Sequence, residues 1–243
     1  MQVNTPRMTM WLVVTTVLIA ISTPLMANEK ADHDAVRPVP RSGGWMKRHE
    51  SFNKRVQAGN VDLVFIGDSI TQGWEGNGKK VWQKYYGKRN TVNLGIGGDR
   101  TQHVIWRLDN GNLKGISPKL AVIMIGTNNS GNNTSAQIAE GVEVIVGQLK
   151  KKTPQTKVLI LAVFPRGKDA NDKRRKVNEG ANQGMAKLAD GKQVHYLDIG
   201  DKFLAKDKTL SREIMPDLLH LSPQGYEIWA SSIESMVAKL LGE

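Results

Sequence analysis

The sequence predicts an α/β fold in which a parallel sheet is covered by helices on both faces. Short apolar runs recur at Val61 to Ile66, Leu120 to Ile125 and Val158 to Phe164, and segments of helical periodicity fill the gaps between them. Near-continuous apolar runs mark strands buried on both faces, whereas half-exposed strands alternate. Strands that alternate with helices wind into a parallel sheet with its helices outside. With 243 residues, 40% hydrophobic and 23% charged, a single globular domain with a full core accounts for the length.

Taken in order, Arg7 precedes an apolar run from Trp11 to Ile21, and small residues with a cleavage point at Ala27 follow. A basic start, a short apolar middle and a small residue at the cut make residues 1–27 a secretory signal peptide. The run is about half of the roughly 20 residues a membrane-spanning helix needs. The expectation is a secreted or periplasmic protein with no stable membrane span after cleavage, an N-terminal membrane anchor being the alternative. Residues 28–44 hold Pro38, Pro40, Gly43 and Gly44 among charges and read as a flexible lead-in, leaving 45–243 as the folded domain.

Trp45, Phe52 and Val56 suit a short amphipathic helix ending near Gly59. The first strand, 61–66, is interrupted by Asp62 and closed by Gly67, and weaker strands lie at Thr91 to Leu94 and Val194 to Ile199. Thr134 and Gln137 form a capping box ahead of Ile138, Val142, Ile145 and Leu149 at helical spacing. A polar helix covers Asp172 to Ala189. Ser222 caps a last helix with Pro223 at its first position and Tyr226, Trp229, Ile233, Met236, Val237 and Leu240 on its apolar face.

The chain has no cysteine, which removes disulfides and thiolate metal sites. Its formal charge of +11 could draw in acidic glycans, anionic lipid or nucleic acid. The basic residues are scattered apart from Lys173-Arg174-Arg175-Lys176, so a solvated surface is the preferred reading. No nucleic-acid motif accompanies them, and no nucleic-acid partner is expected.

Ligands of such sheets bind at the carboxyl ends of the strands, so what each strand delivers there decides the chemistry. The first delivers Gly67-Asp68-Ser69-Ile70-Thr71, a serine just past a buried strand behind a turn-permitting glycine. A serine hydroxyl is a weak nucleophile and needs a base within hydrogen-bond reach. The second ends in Gly95-Ile96-Gly97-Gly98-Asp99, whose glycines let backbone N–H groups approach a bound group. A dinucleotide fingerprint would require glycine where Arg100 stands, and Gly76-Asn77-Gly78-Lys79 lacks the spacing of a phosphate loop. The third delivers Gly126-Thr127-Asn128-Asn129, where a side-chain amide can donate to a developing oxyanion.

Near the chain end stands Asp217-Leu218-Leu219-His220, an acid and a histidine three apart that can meet on one turn, the carboxylate fixing the imidazole tautomer. The other histidines read as structural: His33 and His49, His195 in a strand and His103 on a helical face. Asp99 and His103 at i, i+4 could share a metal, but no third ligand is evident, and no metal is expected.

Together these blocks resemble the GDSL/SGNH hydrolase family, in which serine, glycine, asparagine and histidine occur in the order Ser69, Gly98, Asn128, His220. The resemblance spans roughly residues 45 to 240. It is strongest, through 97–108, 126–129 and Phe164-Pro165-Arg166-Gly167, to the branch of the catalytic subunits of platelet-activating-factor acetylhydrolase Ib. It implies a flavodoxin-like three-layer α/β/α sandwich with a five-stranded parallel sheet. It also implies a nucleophile Ser69, a base His220 oriented by Asp217, and an oxyanion hole of the Ser69 and Gly98 N–H groups and the Asn128 amide. No metal or organic cofactor is implied.

Asn129 stands where many wider relatives carry Asp; the acetylhydrolase-like branch has Asn there. The likeness to a dimer-forming family allows a homodimer and goes no further. The expected activity is an exported serine esterase of small acyl esters, acetyl first among them, with a small-molecule or glycan ester as partner and carbohydrate deacetylation as one form. A lysophospholipase or acyl-thioester hydrolase is the alternative, as is a non-catalytic glycan-binding module on the same fold. Trp74, Trp82 and Ile70 are candidates for walls of an acyl pocket, or equally for core.

Overall fold

The computed structural model describes residues 1–4 and 33–243, and all that follows concerns the unit Ala31–Glu243. The signal-peptide expectation falls, beyond residue 4, outside the described residues. Five strands, β1 (Leu63–Gly67), β2 (Thr91–Gly95), β3 (Leu120–Met124), β4 (Lys157–Leu161) and β5 (Val194–Leu197), pair in parallel in the order β2-β1-β3-β4-β5. Seven α-helices accompany them: α1 (Gly44–Gln57), α2 (Ser69–Gln72), α3 (Lys79–Tyr86), α4 (Thr101–Asp109), α5 (Ser135–Lys152), α6 (Lys173–Ala186) and α7 (Pro223–Leu241). This is the expected flavodoxin-like three-layer sandwich, and its strand order reverses direction between β1 and β3.

The apolar runs bury both faces because successive side chains point to opposite sides of the sheet. Val64, Ile66, Leu94, Ile123 and Ile160 pack with residues of α1, α4, α5 and α6 in one cluster. Leu63, Phe65, Val122, Met124 and Leu161 join residues of α3 and α7 in the other. The capping box of Thr134 and Gln137 starts α5, and the Ser222 hydroxyl accepts from the Gly225 N–H to start α7 with Pro223 in its first turn. Among the described residues no helix is long and apolar enough to cross a membrane.

Of the two readings left open for Trp74 and Ile70 the structure gives core, each being only 1% exposed and part of the α3/α7 cluster. Trp74 packs 4.5 Å from the Tyr226 ring and 4.8 Å from that of Trp229, while half-buried Trp82 meets Phe65 edge-on at 5.3 Å. Burying such rings together outweighs exposing them to a ligand.

Part of the lead-in is held against the domain. Residues 28–32 lie outside the described part, but 33–43 are fastened along the domain. His33 meets Glu140 at 2.7 Å, Ala35 is fully buried with its carbonyl accepting from the Thr101 hydroxyl, and the Arg41 guanidinium donates to the Gly97 carbonyl at 2.8 Å. Proline and glycine set the backbone path, and these contacts hold it.

Candidate active site

Two switch-point strands aim the central residues. At the end of β1 a Cβ on Gly67 would lie 2.0 Å from the Thr71 hydroxyl and 2.4 Å from the Met124 carbonyl, so only glycine lets α2 turn back this tightly. The Asp68 carboxylate caps α2 by accepting from the Ile70 N–H at 3.0 Å, leaving Ser69 as its first residue. From the far end of the chain His220 arrives, its Nε2 2.8 Å from the Ser69 Oγ. Its Nδ1 lies 2.6 Å from the Asp217 Oδ2.

The Asp217–His220 turn is built for that pairing. Asp217 Oδ1 accepts from the backbone N–H groups of Leu219 at 3.1 Å and His220 at 2.7 Å, so one carboxylate holds both the turn and the imidazole. Leu218 sits at φ 61°, a left-handed conformation that is strained for a leucine. Its carbonyl accepts from the Gly167 N–H at 2.9 Å, which ties the turn to the segment after β4. Burial works to raise the Asp217 carboxyl, but the hydrogen bonds from His220 outweigh it and hold the group below the usual carboxylate range. The pair is open to solvent, the His220 and Asp217 side chains being 43% and 56% exposed.

Opposite, the glycine loop after β2 carries Gly98 at φ 75°. The Gly97 N–H is occupied by the Gln72 side-chain oxygen at 2.7 Å. Among the described residues neither the Gly98 nor the Ser69 N–H donates to another protein group. The Asn128 amide donates to the Asp99 carbonyl at 2.9 Å and approaches Asp68 Oδ2 at 3.4 Å. Serine, imidazole and carboxylate are thus brought together at one sheet edge, a set able to transfer an acyl group.

Asp99 and His103 do not make a metal site. The Asp99 carboxylate is fully buried and each of its oxygens is engaged, by Trp45 Nε1 at 2.6 Å and Arg107 Nε at 2.9 Å. Burial and the nearby Arg41, Arg100 and Arg107 push His103 down to about 4. Among the described residues no group of three or more metal-ligating side chains occurs. Asn129 is fully buried and bridges to α4, its oxygen accepting from the Thr101 N–H at 3.0 Å and its amide donating to Gln102 at 3.1 Å. Sequence reasoning missed Arg41 and Arg107, whose contacts span distant parts of the chain, and it missed what burial does to Asp68.

Asp68 is fully buried beside Ser69, and burial, opposed by the Ile70 N–H and aided by the nearby Asp99, pushes its carboxyl up to about 7. A carboxyl raised by folding favours the folded state while protonated, so stability falls as pH climbs from about 4 to about 7 and then levels. Asn keeps the cap acceptor without the charge. Asp68→Asn is therefore expected to unfold at higher urea at pH 8 by about 2 kcal/mol or more, at about 1.4 kcal/mol per pKa unit, with little gain at pH 4.5. Equal effects at both pH values would refute this account of Asp68.

The parallel sheet and the hydrogen-bonded Ser69, His220 and Asp217 at its edge point to one class of protein, the ester hydrolases. The family model of the GDSL-like Lipase/Acylhydrolase family matches residues 65–228, and the chain belongs to that family. It is 37% identical over 211 residues to the human platelet-activating factor acetylhydrolase IB subunit alpha1, covering 86% of this chain and 89% of that protein. To the rat alpha2 subunit it is 34% identical over 220 residues, covering 89% and 93%. A solved carbohydrate acetylesterase from Sinorhizobium meliloti shares the fold with a TM-score of 0.59 at 20% identity, over 74% of this chain and 99% of that one. The chain is a carboxylic ester hydrolase, and the binding-module alternative is set aside.

Proposed function

We propose that the protein hydrolyses small acyl esters, acetyl esters first among them, through an acyl-enzyme on Ser69. The observation that carries this reading is the continuous relay from Ser69 Oγ to His220 Nε2 at 2.8 Å and from His220 Nδ1 to Asp217 at 2.6 Å. Ser69 Oγ attacks the ester carbonyl as His220 Nε2 takes its proton, and Asp217 stabilises the imidazolium. The oxyanion is held by the N–H groups of Ser69 and Gly98 and by the Asn128 amide, which exchanges its long contact to Asp68 for the substrate oxygen. The C–O bond breaks, the alcohol leaves with the proton from Nε2, and acetyl-Ser69 remains. Water then gives a proton to Nε2 and its oxygen to the acyl carbon, the proton returns to Oγ, and the acid departs.

A short acyl group fits what surrounds Ser69. Its Cβ lies 3.8 Å from the Cβ position of Gly97, while Ile70 and Trp74 are spent in the core. Two cavities of about 540 and 400 Å³ have neither Ser69 nor His220 in their walls. The relatives named acetylhydrolase and acetylesterase support the same choice. Export belongs to this reading through Arg7, the run from Trp11 to Ile21 and Ala27, and it makes an acetylated glycan the favoured natural substrate.

The test pairs a fluorophosphonate label with an acyl-length series. One phosphonate adduct mapped to Ser69, and kcat/KM for acetyl exceeding octanoyl esters, are expected. Labelling elsewhere overturns the nucleophile, and an octanoyl preference overturns the acetyl assignment in favour of a lysophospholipase-like enzyme.

A further inference from the structure

Strand β2 closes one edge of the sheet, pairing with β1 on one side only. In a parallel ladder the N–H and C=O of one residue point to the same side, and those of the next residue to the other. The Asp62 N–H donates to the Asn90 carbonyl at 3.1 Å and the Ile96 N–H to the Gly67 carbonyl at 3.2 Å. The even-numbered residues of β2 therefore bond to β1, and the odd-numbered ones face away. Of these, Gly95 is satisfied locally, its N–H donating to the Asn93 side-chain oxygen at 2.9 Å and its carbonyl accepting from Arg48 Nε at 2.9 Å. The outward N–H and C=O groups of Thr91 and Asn93 have no protein partner among the described residues. Two donors and two acceptors along an edge are a template for a further strand.

That template lies at the bottom of a groove. Thr91 and Asn93 line the cavity of about 540 Å³, where α1 supplies Phe52 and Arg55 and α3 supplies Lys79 and Trp82. The two helices stand on opposite faces of the sheet, since Phe52 packs in the cluster of Val92 while α3 packs with Phe65 in the other. Near Gly95 the walls are joined by Arg48 and Glu75, a two-point ion pair at 2.7 and 3.0 Å that cancels both charges. Among the described residues no carboxylate lies within 4.0 Å of Arg55 or Lys79, and both are exposed, so the rim is positive.

The two faces of the groove differ in chemistry. The Thr91 hydroxyl donates to the Tyr86 carbonyl at 3.2 Å and the Asn93 amide to the Thr71 carbonyl at 3.0 Å, which puts both side chains on the α3 face. Residues directly opposite each other in an antiparallel pair share a face. A strand bonded to Thr91 and Asn93 thus turns its bonded residues toward half-buried Trp82, and the residue between them toward Arg55 on α1.

We propose that the β2 edge docks an extended acidic segment of a partner protein as a sixth strand, antiparallel to β2, with apolar residues over Trp82 alternating with carboxylates toward Arg55. Main-chain bonds hold such a segment, and its alternate side chains select it. A second copy of this chain suits the edge poorly, because its own β2 would bring Arg55 and Lys79 against their like. Neither Ser69 nor His220 lines this groove, so the proposal stands apart from the esterase reading.

The test uses the whole protein and a fluorescein-labelled, end-blocked heptapeptide alternating aspartate and valine, with aspartate at both ends. Three controls carry N-methyl groups on the valines, N-methyl groups on the aspartates, or lysine in place of aspartate. The parent and the aspartate-methylated peptide are expected to bind saturably, the valine-methylated and lysine peptides about tenfold more weakly or worse, with binding weakening as salt rises. Arg55→Glu should weaken the parent peptide severalfold and Lys79→Glu by a smaller factor, with acetyl-ester hydrolysis unchanged in both. At saturation, hydrogen exchange of the Thr91 and Asn93 amides should slow about tenfold or more.

Absent binding of the parent peptide, equal binding of the two methylated ones, a lysine peptide bound as tightly, or unchanged exchange at both amides overturns the proposal. Slow exchange at both amides without peptide that quickens on dilution assigns the edge to a second copy and overturns it too. Binding with these signatures in a protein that hydrolyses no ester upholds the docking edge and counts against the esterase reading alone.

Discussion

Ser69→Ala is expected to lower kcat for a neutral acetyl ester by about four to six orders of magnitude, with KM changed only a few-fold. In the proposed mechanism the hydroxyl is the group that bonds to the acyl carbon, and its proton acceptor lies 2.8 Å away with a carboxylate 2.6 Å behind it. Removing His220 should cost a comparable factor, and the double variant Ser69→Ala/His220→Ala should be no slower than either single one, because the two act as a unit. Ser69 is the first residue of a four-residue helix capped by Asp68, so the alanine should shift unfolding by no more than about 0.5 kcal/mol. Steady-state kinetics on protein freed of wild-type contamination measures this. A variant retaining a tenth of the activity would remove Ser69 as nucleophile.

The second large effect concerns stability. Arg107 is fully buried, and it donates to Asp99 at 2.9 Å, to the Asn112 side-chain oxygen at 2.7 Å and to the Gly67 carbonyl at 3.5 Å. Replacing one partner of a buried pair strands the other, at about 3–5 kcal/mol. Arg107→Leu is expected to destabilise by that amount in urea unfolding at pH 8, and by less at pH 5. Burial already raises the Asp99 carboxyl, and losing its principal cation raises it further, so the folded variant takes up a proton there and loses stability as pH rises through that range. The double change Arg107→Leu/Asp99→Leu should recover part of the loss. Activity should fall with it, since the Asp99 carbonyl holds the Asn128 amide. A loss under about 1 kcal/mol would show that this pair is not what fixes the loop.

The strands and main helices were legible because their signals are local. Val61 to Ile66 became Leu63–Gly67, Thr134 and Gln137 capped α5, and Ser222 with Pro223 opened α7. Helix α3 went unread, since Val81, Trp82 and Tyr86 stand among lysines and glycines in only eight residues. At the site, the order of Ser69, Gly98, Asn128 and His220 was visible because each follows a recognisable strand or precedes a helix. The fates of Asp99 and Trp74 were not. The sequence offered no third metal ligand beside Asp99 and His103 but could not show that Trp45 and Arg107 hold the acid, and it left Trp74 open between core and pocket wall, a choice made by Tyr226 and Trp229 against it. Both outcomes depend on partners far away in sequence, which no local pattern encodes.

The solvent exposure of Asp217 and His220 bears on where the acyl group goes once it is on Ser69. Close to half of the His220 side chain meets solvent, so in the proposed mechanism bulk water and any second alcohol both reach the base beside the acyl carbon. Passing the group to another hydroxyl would require a site that holds that hydroxyl and shuts water out. With the base open to solvent, the proposed acyl-Ser69 is expected to partition to the free acid, and added alcohols at millimolar levels should leave the product ratio unchanged.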